Sequence, residues 1–137
     1  MRNIVLVDAG AIVALLNRRD RHHAAIAALV GNFEGTWLTT WAVIAEACAL
    51  LGARRQRLVL DGVADTDTRI VSIDDGLELM RGWMAKYADL PCDFADASLL
   101  YAAWRTEVRE IWTVDRDFAV YRLPDRSRST VIPGGKG

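Results

Sequence analysis

The 137-residue chain is short of several residue types, holding two Cys, two His, three Pro and, beside 15 Arg, two Lys. Two cysteines cannot build a disulfide framework. Cys48 and Cys92 lie far apart in apolar contexts, so one bridge is possible on parity, but two reduced, buried thiols are the expectation for a cytosolic chain. The histidines are the adjacent pair His22-His23 with no Cys nearby, which excludes a zinc site of ordinary spacing. No apolar run approaches the ~20 residues that a membrane helix needs. Met1-Arg2-Asn3 leads straight into a strand-like run without a secretory h-region, so a cytoplasmic location is expected. Gly-rich phosphate-binding signatures are missing, which removes dinucleotide-binding and P-loop readings. Neither Lys86 nor Lys136 follows a late strand, as a receiver-type phosphoacceptor requires. Position 10 is Gly where a haloacid-dehalogenase-type phosphatase needs a second Asp.

What is present is 52% apolar residue and a formal net charge of −1. The length suits one domain, expected over residues 1–132, with 133–137 as a disordered tail. A charge near zero ordinarily speaks against nucleic acid, yet the basic residues are almost all Arg, the side chain suited to bidentate phosphate contacts. If some of the 18 acids were gathered into one site, the remaining surface would be net basic.

Ile4-Val5-Leu6-Val7 reads as a buried strand ending at Asp8. Helices are expected over Ile12–Leu16, His23–Val30, Trp41–Leu51 behind a Thr40 N-cap, and Arg54–Ala64. Further helices are expected from an Asp74 or Asp75 cap to about Ala88, and from Asp93 onward. Thr36–Thr39, Arg69–Ile73, Glu110–Val114 and Ser129–Ile132 have strand character. Strands alternating with helices, without hairpin turns, predict an α/β fold. The expectation is a three-layer α/β/α sandwich around a mainly parallel sheet of about four to five strands.

Asp8 and Asp115 each directly follow a strand, and ligands of open parallel sheets bind outside the carboxyl ends of the strands. Glu46 is the lone charge in an apolar helix and needs a compensating Arg, a set of backbone donors or a metal ion. Asp93 and Asp96 share one face at a helix start. Each acid alone could be a cap or a turn former. Together they form a set that an α/β fold can converge. Carboxylates kept ionised side by side call for a divalent cation, and a His-free oxygen shell suits Mg²⁺ or Mn²⁺.

In this order and spacing the chain resembles the PIN-domain ribonucleases, in particular the toxins of VapBC-type toxin–antitoxin modules. The resemblance runs from Ile4 to about Tyr121. It is carried by Val7-Asp8-Ala9-Gly10, by Thr39-Thr40 followed by Glu46, by Asp93-Phe94-Ala95-Asp96-Ala97-Ser98-Leu99, and by Thr113-Val114-Asp115-Arg116-Asp117-Phe118. It implies a catalytic, metal-binding quartet of Asp8, Glu46, Asp96 and Asp115, supported by Asp93, Asp117 and the hydroxyl of Thr113. It departs at Ala9-Gly10, where many members carry a hydroxyl or amide side chain and this chain offers only backbone.

The resemblance further implies an endoribonuclease using one or two Mg²⁺ or Mn²⁺ ions, an RNA substrate, a cognate antitoxin and a homodimer. The apolar helices from Trp41 to Ala64 are the expected region for the last two. Arg18, Arg19, Arg21 and Arg116 are candidate RNA contacts, as are Arg122, Arg126 and Arg128. His23 is expected to pack or hydrogen-bond at its helix start, and the five Trp to serve the core or an interface. The alternative is a PIN-fold RNA- or protein-binding module with impaired catalysis.

Overall fold

The N-terminal apolar run forms β1 (Asn3–Val7) in the computed structural model, which describes residues 3–133. The tail expected over 133–137 lies, except for Pro133, outside the described residues. Four further strands lie parallel in one sheet with β1: β2 (Gly35–Thr39), β3 (Thr68–Ile70), β4 (Glu110–Trp112) and β5 (Thr130–Ile132). Their order is β3-β2-β1-β4-β5. Parallel neighbours need long crossovers, and helices supply most of them. The chain passes through α1 (Ala9–Leu16) and α2 (His23–Gly31) before β2, and through α3 (Trp41–Leu51) and α4 (Gln56–Asp65) before β3. It then runs through α5 (Leu77–Lys86) and α6 (Phe94–Thr106) into β4, and a single 3-10 turn at Arg116–Ala119 precedes β5.

Strand alternation explains the layering. Leu6 pairs in register with Leu38 and Ile111, and all three are buried in one cluster with Val43, Ile44 and Ala47 of α3 and Leu99, Leu100 and Ala103 of α6. The intervening residues Val5 and Trp112 point the other way, into a second cluster with Ala11 and Ala14 of α1 and Ile26 of α2. Full burial of a Leu such as Leu99 on the first face or an Ile such as Ile26 on the second contributes about 1.5–3 kcal/mol, so both faces hold the sheet. On the second face Phe33 stacks on Trp37 at 5.1 Å and meets Trp112 edge-on at 5.0 Å. His23 accounts for part of the α1–α2 join: its Nδ1–H donates to the Ala14 carbonyl at 2.8 Å.

Several boundaries differ from expectation. Helix α1 begins at Ala9 rather than Ile12, because Asp8 caps it directly. Helix α4 starts at Gln56 and β3 ends at Ile70, where its neighbour β2 ends. Strand β4 ends at Trp112, two residues short of Val114. Neither Asp74 nor Asp75 caps α5. Its N-cap is Gly76, whose amide closes a turn on the Ile73 carbonyl at 3.0 Å beneath the Tyr101 ring. That helix stops at Lys86 rather than near Ala88, because the amides of Leu90 and Cys92 turn back onto the Tyr87 carbonyl at 3.1 Å. Trp41 is 56% exposed and so is no part of this domain's core. Both cysteines are free thiols.

Candidate active site

The strand order reverses beside β1, with β2 on one side and β4 on the other, and their carboxyl ends form a crevice of the kind that binds ligands in open α/β sheets. Asp8 stands at this point. Its amide donates to the Trp112 carbonyl at 2.9 Å, which extends the β1–β4 pairing by one bond. Its Oδ1 accepts the Ala9 amide at 2.8 Å, as an N-cap does. Its Oδ2 accepts the Thr113 hydroxyl at 2.8 Å. The Thr113 oxygen in turn accepts the Asp115 amide at 2.9 Å, and Asp115 Oδ1 accepts the Asp117 amide at 2.9 Å. The chain after β4 is thus wound around the carboxylate that ends β1.

Asp93 and Asp96 come from the N-terminus of α6. Asp93 Oδ1 accepts the Asp96 amide at 2.8 Å and Asp96 Oδ2 accepts the Asp93 amide at 3.1 Å, a capping box made of two aspartates. Glu46 comes from the middle of α3, two turns behind its Thr40 cap. A hydroxyl pair aligns these two helices. Ser98 Oγ donates to the Ala95 carbonyl at 2.7 Å, which uses its only proton, so Thr40 must be the donor across their 2.7 Å contact. Thr40 also accepts the Val43 amide at 3.1 Å. Ser98 had no role assigned from sequence. The signal was present, since a hydroxyl on an otherwise apolar helix face must find a partner.

Asp8, Glu46, Asp93, Asp96 and Asp115 lie near enough for their charges to act on one another. Burial raises Asp8 to about 6, against the hydrogen bonds of Thr113 and Ala9, and the charges of Asp115 and Asp93 add to the rise. Burial, then the neighbouring charges of Asp93 and Asp8, raises Glu46 to about 7, and the Glu46 and Asp93 carboxyls lie within hydrogen-bonding reach. Burial raises Asp96 to about 8 in spite of the Asp93 amide, with Asp93, Asp8 and Asp115 contributing. Asp117 is raised by its partial burial and by Asp115. The main influences on Asp8, Glu46 and Asp96 are burial and neighbouring carboxylates. Burial and the same acids push Cys92 up to about 12, which leaves it an inert thiol.

These residues fit a hard divalent cation in chemistry. The donors are all oxygen, and each carboxylate oxygen engaged in the bonds above keeps a further lone pair. Among the described residues no three His, Cys, Asp or Glu side chains stand close enough together to hold a metal ion without rearranging. Arg18, Arg19 and Arg21 lie exposed on the α1–α2 connection, and Arg116 is exposed at the start of the 3-10 turn after Asp115.

Fold and site together define an α/β domain with an acidic pocket at the carboxyl edge of a parallel sheet. The chain belongs to the PIN-domain family, whose model matches residues 5–123. Among solved structures it is similar to VapC20 of Mycobacterium tuberculosis, described as a sarcin–ricin-loop-cleaving toxin. The two share 21% identity at a TM-score of 0.78 over 85% of this chain and 93% of that one. No curated protein matches the sequence.

Proposed function

We propose that the chain is an endoribonuclease that hydrolyses RNA phosphodiester bonds with Mg²⁺ or Mn²⁺, and that it is the toxin of a toxin–antitoxin pair. The observation that carries this reading is a knot of carboxylates raised above their ordinary pKa range, with Asp8 tied through Thr113 to the Asp115 amide and Asp96 boxed with Asp93. Such a knot is costly to keep ionised unless a divalent ion is bound. In this reading Asp8, Glu46, Asp96 and Asp115 hold the ion, with Asp93 and Asp117 in support. When bound, the ion supplies Lewis-acid stabilisation to the charge that builds on phosphate oxygens. Thr113 fixes the Asp8 carboxylate, and the Thr40–Ser98 pair ties the start of α3, the helix of Glu46, to α6. The family and the fold shared with a sarcin–ricin-loop-cleaving toxin support the same reading.

The alternative, a binding module with impaired catalysis, leans on Ala9-Gly10. It is weakened by the Ala9 amide and the Thr113 hydroxyl, which give each oxygen of Asp8 a donor without a polar side chain at position 9 or 10.

A homodimer and an antitoxin belong to the proposal as well. Trp41, Leu50, Leu58 and Leu60 are exposed along α3 and α4, more apolar surface than two short helices of a self-contained domain ordinarily leave in water. Beside them an apolar hollow of about 120 Å³ between α1, α2, α4 and the sheet is lined by Leu15, Ile26, Trp37 and Leu58. Among the described residues no helix is long and apolar enough to cross a membrane.

The deciding experiment is sequencing of cellular RNA ends after induced expression of wild type and of Asp96→Asn, paired with calorimetric titration of Mn²⁺. Discrete new ends with wild type alone, and Mn²⁺ uptake lost in the variant, are expected. Identical ends from both proteins would remove the nuclease reading.

A further inference from the structure

Between α5 and the loop after the 3-10 turn lies an open groove of about 610 Å³ that the carboxylate site does not use. Lys86, Arg122 and Arg126 line it together with Trp83, Pro124 and Glu78. The one acid among them is answered by Arg81, whose Nη1 donates to Glu78 Oε1 at 3.2 Å. The groove is therefore cationic.

Arg122 is a fixed charge rather than a mobile one. Its Nη1 donates to the carbonyls of Ala119 at 3.0 Å, Val120 at 2.6 Å and Tyr121 at 3.3 Å. Its amide donates to the Tyr87 hydroxyl at 2.9 Å, and its carbonyl accepts the Trp83 indole N–H at 2.9 Å. Lys86 Nζ sits 5.3 Å from the Tyr87 ring centre. Tyr87 packs on Tyr121 at 5.0 Å, and Tyr121 packs on Phe118 of the 3-10 turn at 5.4 Å. The other end of that layer adjoins the acids after β4, since the Tyr121 amide donates to the Asp117 carbonyl at 3.1 Å. A tyrosine pair is what separates the cationic groove from the acidic pocket.

We propose that this groove seats the phosphate backbone of the RNA strand that runs past the acidic pocket, with Lys86 and Arg126 contacting phosphates on either side of the fixed Arg122. The inference rests on the ribonuclease reading and adds to it the track the substrate follows. A polyanion approaching clustered carboxylates is repelled, and adjacent cations are the means of holding it there. The shared tyrosine wall favours RNA over an acidic protein segment as the occupant.

The test is fluorescence anisotropy of a short labelled single-stranded RNA in EDTA over a series of salt concentrations, with wild type and Lys86→Gln/Arg126→Gln. Cleavage of the same RNA in Mn²⁺ is followed in parallel. Both substituted side chains are exposed, and far-UV circular dichroism with thermal melting checks that the variant folds. The variant is expected to bind roughly tenfold more weakly, with the slope of log K against log salt smaller by about 1.4, or about 0.7 for each lost single-strand phosphate contact. Cleavage by wild type with equal affinity and slope for both proteins would overturn the groove alone and leave it to an acidic protein segment. Failure of wild type either to bind or to cleave RNA would overturn the ribonuclease reading and the groove together.

Discussion

The Thr113 hydroxyl joins two ends of the chain: it donates to Asp8 Oδ2 at 2.8 Å across 105 residues and receives the Asp115 amide at 2.9 Å. One side chain thus sets the orientation of the carboxylate that closes β1 and the course of the backbone that delivers the acid after β4. Thr113 is 1% exposed and Asp8 is 5% exposed, so neither bond can be replaced by bulk water.

Thr113→Val tests this link with little change of shape. It leaves Asp8 short of a donor in a buried position, a loss of about 1–3 kcal/mol. Without that hydroxyl the Asp8 pKa rises further, since it is the larger of the two hydrogen bonds that pull it down. Loss of a partner that orients a ligand lowers metal affinity by about 10- to 100-fold. Thermal melting and Mn²⁺ calorimetry on the purified variant check both effects. An unchanged Mn²⁺ affinity would mean that Asp8 does not hold the ion.

Asp96→Asn should separate metal binding from folding. The asparagine carbonyl can still accept the Asp93 amide, so the capping box survives while the charge is lost. Folding raises Asp96 from 3.8 to about 8, so ionising it costs the metal-free fold stability over that interval. In EDTA the variant should therefore melt above wild type, with a gap that opens above about pH 4 and is complete above about pH 8. In Mn²⁺ the ranking should reverse, because only wild type gains from the ion.

Metal-free wild type has a pH dependence of definite sign. The folded values of Asp8, Glu46 and Asp96, about 6, 7 and 8, all lie above their ordinary 3.8 or 4.5. Between those limits the folded chain binds more protons than the unfolded one, so stability falls as pH rises. The stabilisation is whole below about pH 4 and is lost stepwise through the folded values. Melting curves in EDTA should move to lower temperature from pH 5 to pH 8, and saturating Mn²⁺ should flatten the trend. A melting temperature in EDTA that climbs over this range would contradict the clustering.

Legibility of the sequence followed the range of the interactions. Helix α3, Trp41–Leu51, is readable to the residue, because the Thr40 cap and the Gly52 stop are local signals. The strand–acid junction Val7-Asp8 and the acid at 115, which follows β4 although that strand ends at Trp112, mark the site, because a parallel sheet has one carboxyl edge to which they can go. The start of α5 was not readable. The acids at 74 and 75 look like caps, and what decides is the Tyr101 ring on a distant helix, which leaves room only for Gly76. The role of Ser98 was hidden for the same reason, as was the gathering of Lys86 with Arg122 and Arg126 in one groove, since each depends on which segment folds against it.

Gly10 explains the departure at Ala9-Gly10. A Cβ there would lie 2.5 Å from Val114 Cγ2, and a β-branched side chain between Thr113 and Asp115 has few alternative rotamers to adopt. Gly10→Ser should therefore destabilise the fold by about 1–3 kcal/mol through overpacking, in spite of the helix position. It should also weaken Mn²⁺ binding, because displacing Val114 pulls on the two residues that bracket it. Gly62→Ala is the control: it lies within α4, where nothing stands within 4 Å of an added Cβ. There the substitution should gain about 0.5–1 kcal/mol, the ordinary benefit of replacing glycine in a helix. Thermal melting of the two variants should move in opposite directions. A Gly10→Ser protein as stable as wild type and equally able to bind Mn²⁺ would show that Val114 yields freely and that the close approach is not what keeps glycine there.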